Sequence, residues 1–514
     1  MTTDMQPKTT QAAPEILREE LPMQRFVGAG LSQAVVEGEV ALPGGLREET
    51  SVLLSQAMAV LDHGTAENGR VTADGRVTFH ILYTQGDPTK VNALEAGAEF
   101  THHMDVPGAQ AGMSAPVSLM VEHVEASAQG GRIRLMAIVR VYARVFSDEP
   151  VAAVTGIRGV EGLMVKTETL KALRVASSGQ QDVFIRDECE LGQPLQITDT
   201  LCASAIATVH EVMGGGDRAS IAGQVDLEVT HVSDMPSRPV IVTRHSIPFE
   251  ESIALSGDMG DQLIGAATVR DVAVISQEGQ DGERTLRAEV LLGLSARSTS
   301  EKEVALLLDA YTTQGDKLVL TSQQVSRAGE HRQIRTAESG KLNLILDGQP
   351  PVRTPLRAAL TPIITDLSRL SGKLVVEGMM DVTLLYMTDE EPAPQSWRTE
   401  EPFRMVFACD PALPEAITLT PGNVDVSAVT SDRVEVKFIL HLDCADVQLM
   451  PQELVAQVAA VPGEEVPAGV LVCFAQPGET LWDIARRYRV STESLRKMNP
   501  GLSDPPDRVL LYRG

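Results

Sequence analysis

Aromatic residues are scarce in this chain, at 4% of 514 positions, with only two tryptophans. Cores built without them must be filled by Val, Leu, Ile and Ala, which suits sheets of modest thickness. Cysteine is nearly absent: Cys189, Cys202, Cys409, Cys444 and Cys473 form no CxxC pair. An odd, sparse set makes no disulfide framework, and a reducing compartment is expected. Positive charge is also short, 44 Lys and Arg against 70 Asp and Glu, for a formal charge of −26. Such a surface repels phosphate backbones, so a nucleic-acid partner is not expected. Long apolar runs are missing, and none approaches the ~18 residues that span a bilayer. The polar segment Met1 to Pro22 shows no basic-then-apolar signal pattern, so the chain reads as cytoplasmic, with no transmembrane segment. P-loop, G-x-S-x-G and HExxH patterns do not occur. No residue set carries catalysis, and the expectation is a non-enzyme without cofactor or metal. His102 and His103 are adjacent, but neighbours in a strand face opposite ways and do not easily share one ion. His80, His231 and His441 read as surface or pocket-edge residues.

What is present is ordinary for a globular protein: 43% hydrophobic and 22% charged residues. At about 150 residues per domain the length implies three or four domains. Charge is uneven along the chain. The segment Val470 to Gly514 has seven basic and five acidic residues, a net +2, which leaves −28 on everything before it. The asymmetry is compatible with head-to-tail contacts or an acidic partner for the tail, and the acidic body also serves solubility.

Three copies of one unit are legible by spacing. Gly75-Arg-Val-Thr-Phe-His-Ile-Leu-Tyr83 returns as Gly223-Gln-Val-Asp-Leu-Glu-Val-Thr-His231 and as Gly378-Met-Met-Asp-Val-Thr-Leu-Leu-Tyr386. A basic residue stands five positions before each glycine: Arg70, Arg218 and Lys373. An aromatic follows each, Phe100, Phe249 and Phe403, at 25, 26 and 25 residues. Val77, Phe79, Ile81 and Tyr83 alternate with polar residues, the period-two pattern of a strand with one face on a core and the other in water. A later strand alternates too, through Ile133 to Val141, Leu286 to Leu294 and Val434 to Leu442. Turn-rich links such as Met213-Gly-Gly-Gly-Asp217 and Gln277-Glu-Gly-Gln-Asp-Gly282 separate strands. Each copy is therefore expected to be a mostly antiparallel sandwich or open barrel.

The order of Gly30-Leu-Ser-Gln33, the strand from Gly75 to Leu82-Tyr83, the strand ending Leu385-Tyr386, and Pro402-Phe403 resembles the SPOCS domain of sporulation and spore-coat proteins. Copy two departs where His231 replaces the tyrosine. The resemblance covers residues 24 to 447 and implies no active site. The expected layout is a flexible N-terminus 1–23, SPOCS-like domains 24–167, 168–326 and 327–449, a Pro-, Ala- and Glu-containing linker 450–469, and a C-terminal module 470–514.

That module is read as β-α-α-β. Thr480 and Asp483 form a capping-box pattern, and Leu481, Ile484, Ala485 and Tyr488 recur on one helical face. Ser491 caps a second helix carrying Leu495 and Met498, and Asn499-Pro500 stops it. The series QPGETLWDIARRYRVSTESLRKMNPGL resembles the LysM domain, which recognises N-acetylglucosamine polymers such as peptidoglycan and chitin. The resemblance implies a shallow groove between Gly478, Glu479, Thr480 and Leu481 on one side and Asn499, Pro500, Gly501 and Leu502 on the other. Those residue types also build turns and caps. Asp504-Pro-Pro-Asp507 departs from the family's usual Gly-Gln step.

Three SPOCS-like copies followed by a LysM resemble spore morphogenesis proteins of the SipL type. The resemblance implies an adaptor in the mother-cell cytoplasm at the forespore surface, binding a coat morphogenetic ATPase similar to SpoIVA, or another coat protein, through the tail and the β modules. One alternative is a cortex or cell-wall protein binding peptidoglycan. Another is a self-assembling subunit whose exposed strand edges pair between chains.

Overall fold

The computed structural model describes residues 14–42, 49–129, 131–191, 197–233, 235–278, 284–463, 469–501, 503–506 and 508–513. The chain is mainly antiparallel β, as expected. Copy one holds β1 (Glu15–Leu21), β2 (Arg25–Ala41), β3 (Thr50–Glu67), β4 (Arg70–Gln85), β5 (Asp87–Asp105), β6 (Val117–Gln129), β7 (Arg132–Ser147) and β8 (Val151–Arg158). Copy two holds β9 (Leu163–Glu190), β10 (Ile197–Gly215), β11 (Arg218–Ser233), β12 (Val240–Ala254), β13 (Ser256–Gly257), β14 (Gln262–Glu278) and β15 (Arg284–Thr312). Copy three holds β16 (Lys317–Ile345), β17 (Thr354–Leu370), β18 (Lys373–Met387), β19 (Gln395–Phe407), β20 (Thr418–Thr430) and β21 (Arg433–Val461). Each copy stacks a three-stranded sheet, β3-β4-β5, β10-β11-β12 or β17-β18-β19, on the strands β2-β7-β6, β9-β15-β14 (with β13 at the β9 edge) or β16-β21-β20, and the Arg25–Arg327 pairing joins the first and last of these into one six-stranded sheet. Apolar residues of both inner faces fill the core between them. Of the two architectures expected from sequence, the sandwich is the one found.

The spacing that revealed the repeat has a steric cause. Gly75 pairs directly with Phe100, Gly223 with Phe249 and Gly378 with Phe403 across neighbouring strands. A Cβ on each glycine would meet the facing strand's carbonyl oxygen, Val60 at 2.5 Å, Thr208 at 2.2 Å and Ile363 at 2.0 Å, with the phenylalanine ring on its other side at 2.7 to 3.1 Å. A bulge beside each glycine bends the first strand of the sheet towards it. The ring covers the gap that the missing side chain leaves, so glycine and aromatic recur as a pair. Arg70, Arg218 and Lys373 are the first residues of β4, β11 and β18.

The copies continue beyond their sandwiches as two-stranded ribbons. β1 pairs with β8, the first half of β9 with the last half of β15, and the first half of β16 with the last half of β21. The three ribbons pack on one another through Leu21, Met23, Val151, Leu170, Leu306 and Leu454, then through Ile157, Leu307, Leu318 and Val458. Two expectations are corrected here. Residues 15–21, placed in a flexible N-terminus, are a strand, and Leu21 and Met23 are 0% and 1% exposed. Residues 450–461, placed in a linker, are the end of β21, whose alternating burial was masked in sequence by Pro451. The turns between copies fall at 159–162 and 313–316. Residues 1–13, 279–283 and 464–468 of the expected N-terminus, turn and linker lie outside the described residues.

Contacts between copies run in a cycle. Arg270 of copy two donates to the Leu61 carbonyl of copy one at 3.3 Å. Arg244 of copy two bonds Asp425 and the Val424 carbonyl of copy three at 2.8 and 2.7 Å. Arg398 of copy three bonds His123 of copy one at 3.3 Å. Arg144 of copy one also donates to the Ala445 carbonyl of copy three. Contacts of this head-to-tail kind close into a ring when the rotation permits, and here they close within one chain.

Equivalent residues meet at the ring's axis. Following a bulge in each first strand, Leu54 pairs with Leu82, Cys202 with Thr230, and Arg357 with Leu385. Leu53, Leu54, Leu82, Val240, Leu356, Leu385 and Met387 form one shared apolar cluster there. Arg357, 5% exposed, donates to Gln56 at 2.7 Å and lies 3.5 Å from Glu228, while its Nε has no partner. Copy one already seats a leucine at this position, and Glu228 keeps Arg244 at 3.2 Å. Arg357→Leu should therefore leave the free energy of unfolding unchanged or raise it by up to about 2 kcal/mol, since Glu228 retains a cationic partner and is not left as an unpaired buried charge. A loss of that size would show that the guanidinium is required.

The histidine reading is corrected at two positions. His231 is 0% exposed and held between Thr200 at 3.1 Å and Thr243 at 2.8 Å. His80 is largely buried beside Arg357. Burial pushes both down to about 4, as it does His331, which lies at another junction between copies. A folded pKa below the unfolded value means that the fold holds the neutral ring. That stabilisation is complete above pH ~6.5 and is lost as pH falls towards the folded values. Thermal midpoints should drop across this window, and replacing His331 by Gln should reduce the slope. A profile level down to pH ~4 would contradict it.

Candidate functional site

The tail consists of β22 (Gly469–Phe474), α1 (Leu481–Tyr488), α2 (Thr492–Met498) and β23 (Arg508–Arg513), with β22 and β23 antiparallel. Its order is the β-α-α-β expected. Thr480 caps α1: its Oγ1 accepts from the Asp483 amide at 3.3 Å, and Asp483 accepts from the Thr480 amide at 2.9 Å. The Thr480 hydrogen bond, with the amide's, holds the Asp483 carboxyl below its usual range. Ser491 accepts from the Ser494 amide at 3.0 Å and caps α2. Leu481, Ile484, Ala485 and Leu495 pack with Cys473, Val509 and Leu511 into a small core.

Of the loops named for a groove, the first is tied to the segment that follows the second. Asp504 Oδ1 accepts from the Leu481 amide at 2.9 Å, tying the segment after α2 to the start of α1. Glu479 accepts from the Gln476 amide at 2.9 Å and from Arg487 at 3.1 Å. Gly478 and Gly501 lie at φ +82° and +81°, where the turns require glycine. Pro500 is exposed. Leu502 lies outside the described residues. Asn499 donates to the Leu495 and Leu510 carbonyls and accepts from the Leu510 amide, each at 2.8 Å. Its amide thus joins α2 to β23. Asn499→Ala should destabilise the tail by about 1–2 kcal/mol, because three side-chain bonds joining α2 to β23 are lost and water replaces them only in part. Faster amide exchange in β23 would report it, and a loss of ligand binding in this variant would then reflect unfolding rather than a removed contact. Unchanged exchange would refute the structural assignment.

The docking of the tail on the ring has no signal in the sequence. Trp482 Nε1 and Arg486 donate to Asp309 at 2.7 and 2.9 Å. Tyr311 packs edge-on against Trp482 with centroids 5.0 Å apart, and its hydroxyl donates to the Val490 carbonyl at 2.7 Å. Burial pushes the Tyr311 phenol up to about 12. Arg489 donates to the Thr312 and Gly315 carbonyls at 2.9 and 2.6 Å. Each partner belongs to the tip of the second ribbon, more than 170 positions away in sequence. Asp504, too, was legible only as a departure from family pattern.

Elsewhere, a cleft of about 870 Å³ between copies one and two is lined by Asp62, Asp74, Glu99 and Asp182 with Arg270. His102 and His103 engage different partners, Ser32 at 2.8 Å and Thr72 at 3.1 Å. Cys444 lies in the core of copy three with Cys409 packed against that core, and both are free thiols. Among the described residues no helix is long and apolar enough to cross a membrane.

Fold and tail together define a class: a β-sandwich repeat protein bearing a small β-α-α-β module docked on its second ribbon. The family model of the SipL SPOCS domain matches residues 50–129, which span β3 to β6, and that of the LysM domain matches residues 475–509. These two matches support a SPOCS and LysM protein similar to SipL, and point to a sporulation protein with a module of the peptidoglycan-binding type. No curated protein and no solved structure matches it.

Proposed function

We propose that this protein is a non-enzymatic adaptor of spore-envelope assembly. It acts in the mother-cell cytoplasm at the forespore surface, holding a coat morphogenetic protein, an ATPase similar to SpoIVA, through its tail and ring together. The observation that carries this reading is the clamp of Trp482, Arg486 and Arg489 onto residues 309–315, which fuses tail and ring into one composite surface. The side chains of Glu479, Thr480 and Asn499 support it, since each is committed to bonds within the module. A surface of fixed shape is what an adaptor needs, because preorganisation lowers the cost of binding.

The second reading, peptidoglycan binding, is favoured by the LysM match and by the Asp504 bond that ties the segment after α2 to the start of α1. One experiment separates them. The full chain is incubated with purified coat ATPase on beads and, in parallel, with peptidoglycan sacculi. Retention by the ATPase and not by sacculi is expected. Retention by sacculi, competed by chitin oligomers, would replace the adaptor reading with the glycan one.

A further inference from the structure

The tail's two-stranded sheet buries one face and leaves the other bare. Cys473, Val509 and Leu511 point towards the helices and are at most 4% exposed. Val470, Val472 and Phe474, on the opposite face of β22, are 67%, 55% and 72% exposed, and Leu510, paired with Val472, is 42% exposed. Adjacent apolar side chains this open mark interaction surfaces when they are contiguous, whereas single ones do not. The docking clamp uses α1, so it occupies the helical side of the module and leaves this sheet uncovered.

Charge selects the occupant. Arg508 stands directly across from Phe474 on the bare sheet, exposed, and among the described residues no carboxylate lies within salt-bridge distance of it. Arg486 and Arg487, by contrast, are paired with Asp309 and Glu479. The tail carries +2 and the rest of the chain −28. An apolar stripe edged by an exposed arginine is complementary to an acidic protein surface, and the chain's own body is one. The ring is closed to further copies through its internal junctions, so a contact between chains needs a different surface, and this sheet supplies it.

We propose that the Val470, Val472, Phe474, Leu510 and Arg508 face of the tail docks on the acidic ring of a second copy of this chain, a head-to-tail contact that propagates from molecule to molecule. The proposal goes beyond the adaptor reading and does not depend on it. Net repulsion between acidic chains is screened beyond about 8 Å at physiological ionic strength, which leaves local complementarity to decide. A contact of this kind does not close on itself as a twofold one would, so it yields a ladder of oligomers.

Sedimentation velocity of the full chain over a range of concentrations tests it. At physiological ionic strength, species beyond the dimer should appear with rising concentration and recede as salt is raised further. Phe474→Glu, exposed and so without effect on the melting temperature, should weaken association about tenfold or more, and Arg508→Glu should weaken it while reducing its salt dependence. Mixing supplies the decisive arm. Phe474→Glu chains keep an intact ring, so fluorescently labelled variant should be captured by wild type into mixed pairs. A monomer at every concentration at physiological ionic strength would overturn the proposal. So would a dimer that ends the series, strengthens with salt and excludes the variant, which is the behaviour of two apolar faces meeting each other.

Discussion

Gly223→Val is expected to unfold the second sandwich and, through it, to open the ring. The built Cβ lies 2.2 Å from the Thr208 carbonyl oxygen, which is backbone and cannot rotate away, and the Phe249 ring blocks the other side at 2.7 Å. Relief requires parting β10 from β11 next to the bulge that shapes them. The cost should reach about 3–5 kcal/mol, the range reserved for core distortion. Gly97→Ala makes the control, for nothing lies within 4 Å of its would-be Cβ and the residue is exposed. It should fall within about 0.5 kcal/mol of the parent. Chemical denaturation of both variants checks the pair, and equal midpoints would mean that glycine and phenylalanine recur for some reason other than this close approach. Loss of the second sandwich should also expose Arg244 and Arg270, which hold its neighbours, so the drop in cooperativity should extend past copy two.

The contrast between legible and hidden features follows from which forces are local. The alternation Val77, Phe79, Ile81, Tyr83 reports one sheet face, and that face is buried in the core of copy one. The opposite face was read as solvated, yet in this fold it turns to the ring's axis, where Gln56 and His80 of copy one meet Arg357 of copy three, and Glu228 of copy two meets it as well. A period of two says that two faces differ and is silent on whether the polar one meets water or another copy's polar residues. The ribbons were missed for a related reason. Leu454, Val455 and Val458 carry the apolar signal, but Pro451 and Gln452 at their head look like a spacer until β16 is seen beside them.

In the tail, capping is contained within four residues, and both helices start where Thr480 and Ser491 place them. Groove residues were chosen by resemblance, and the bond that ties the first loop to the segment after the second comes from Asp504, a residue that resemblance marked only as a departure. Glu479 and Asn499, chosen as possible ligands, prove to be structural bonds of the module. Loops that present backbone groups to a ligand must first be held in shape, so the same residue types answer both descriptions and sequence alone does not separate them.

Asp309→Ala should release the tail from the ring while both remain folded. The carboxylate, with 15% of its side chain exposed, accepts from the Trp482 indole and the Arg486 guanidinium, and no other acceptor of the second ribbon replaces it among the described residues. Removing it takes the acceptor from the indole, the guanidinium and the Ala310 amide, and loss of the two contacts that cross to the tail should cost about 2–3 kcal/mol, or roughly thirtyfold to a hundred-and-fiftyfold in the docking equilibrium. Arg489 and Tyr311 keep their bonds, which makes the released state a population rather than the whole sample. Asp309→Asn retains an acceptor for the indole and loses only the charge, so it should fall between the two. Trp482 sits against Tyr311 at the joint and Trp397 packs on the core of copy three, so only the first should shift its emission to the red. If emission and melting are unchanged in Asp309→Ala, the tail is held by the Arg489 and Tyr311 contacts. The composite surface on which the adaptor reading rests would then have to be rebuilt around residues 311–316.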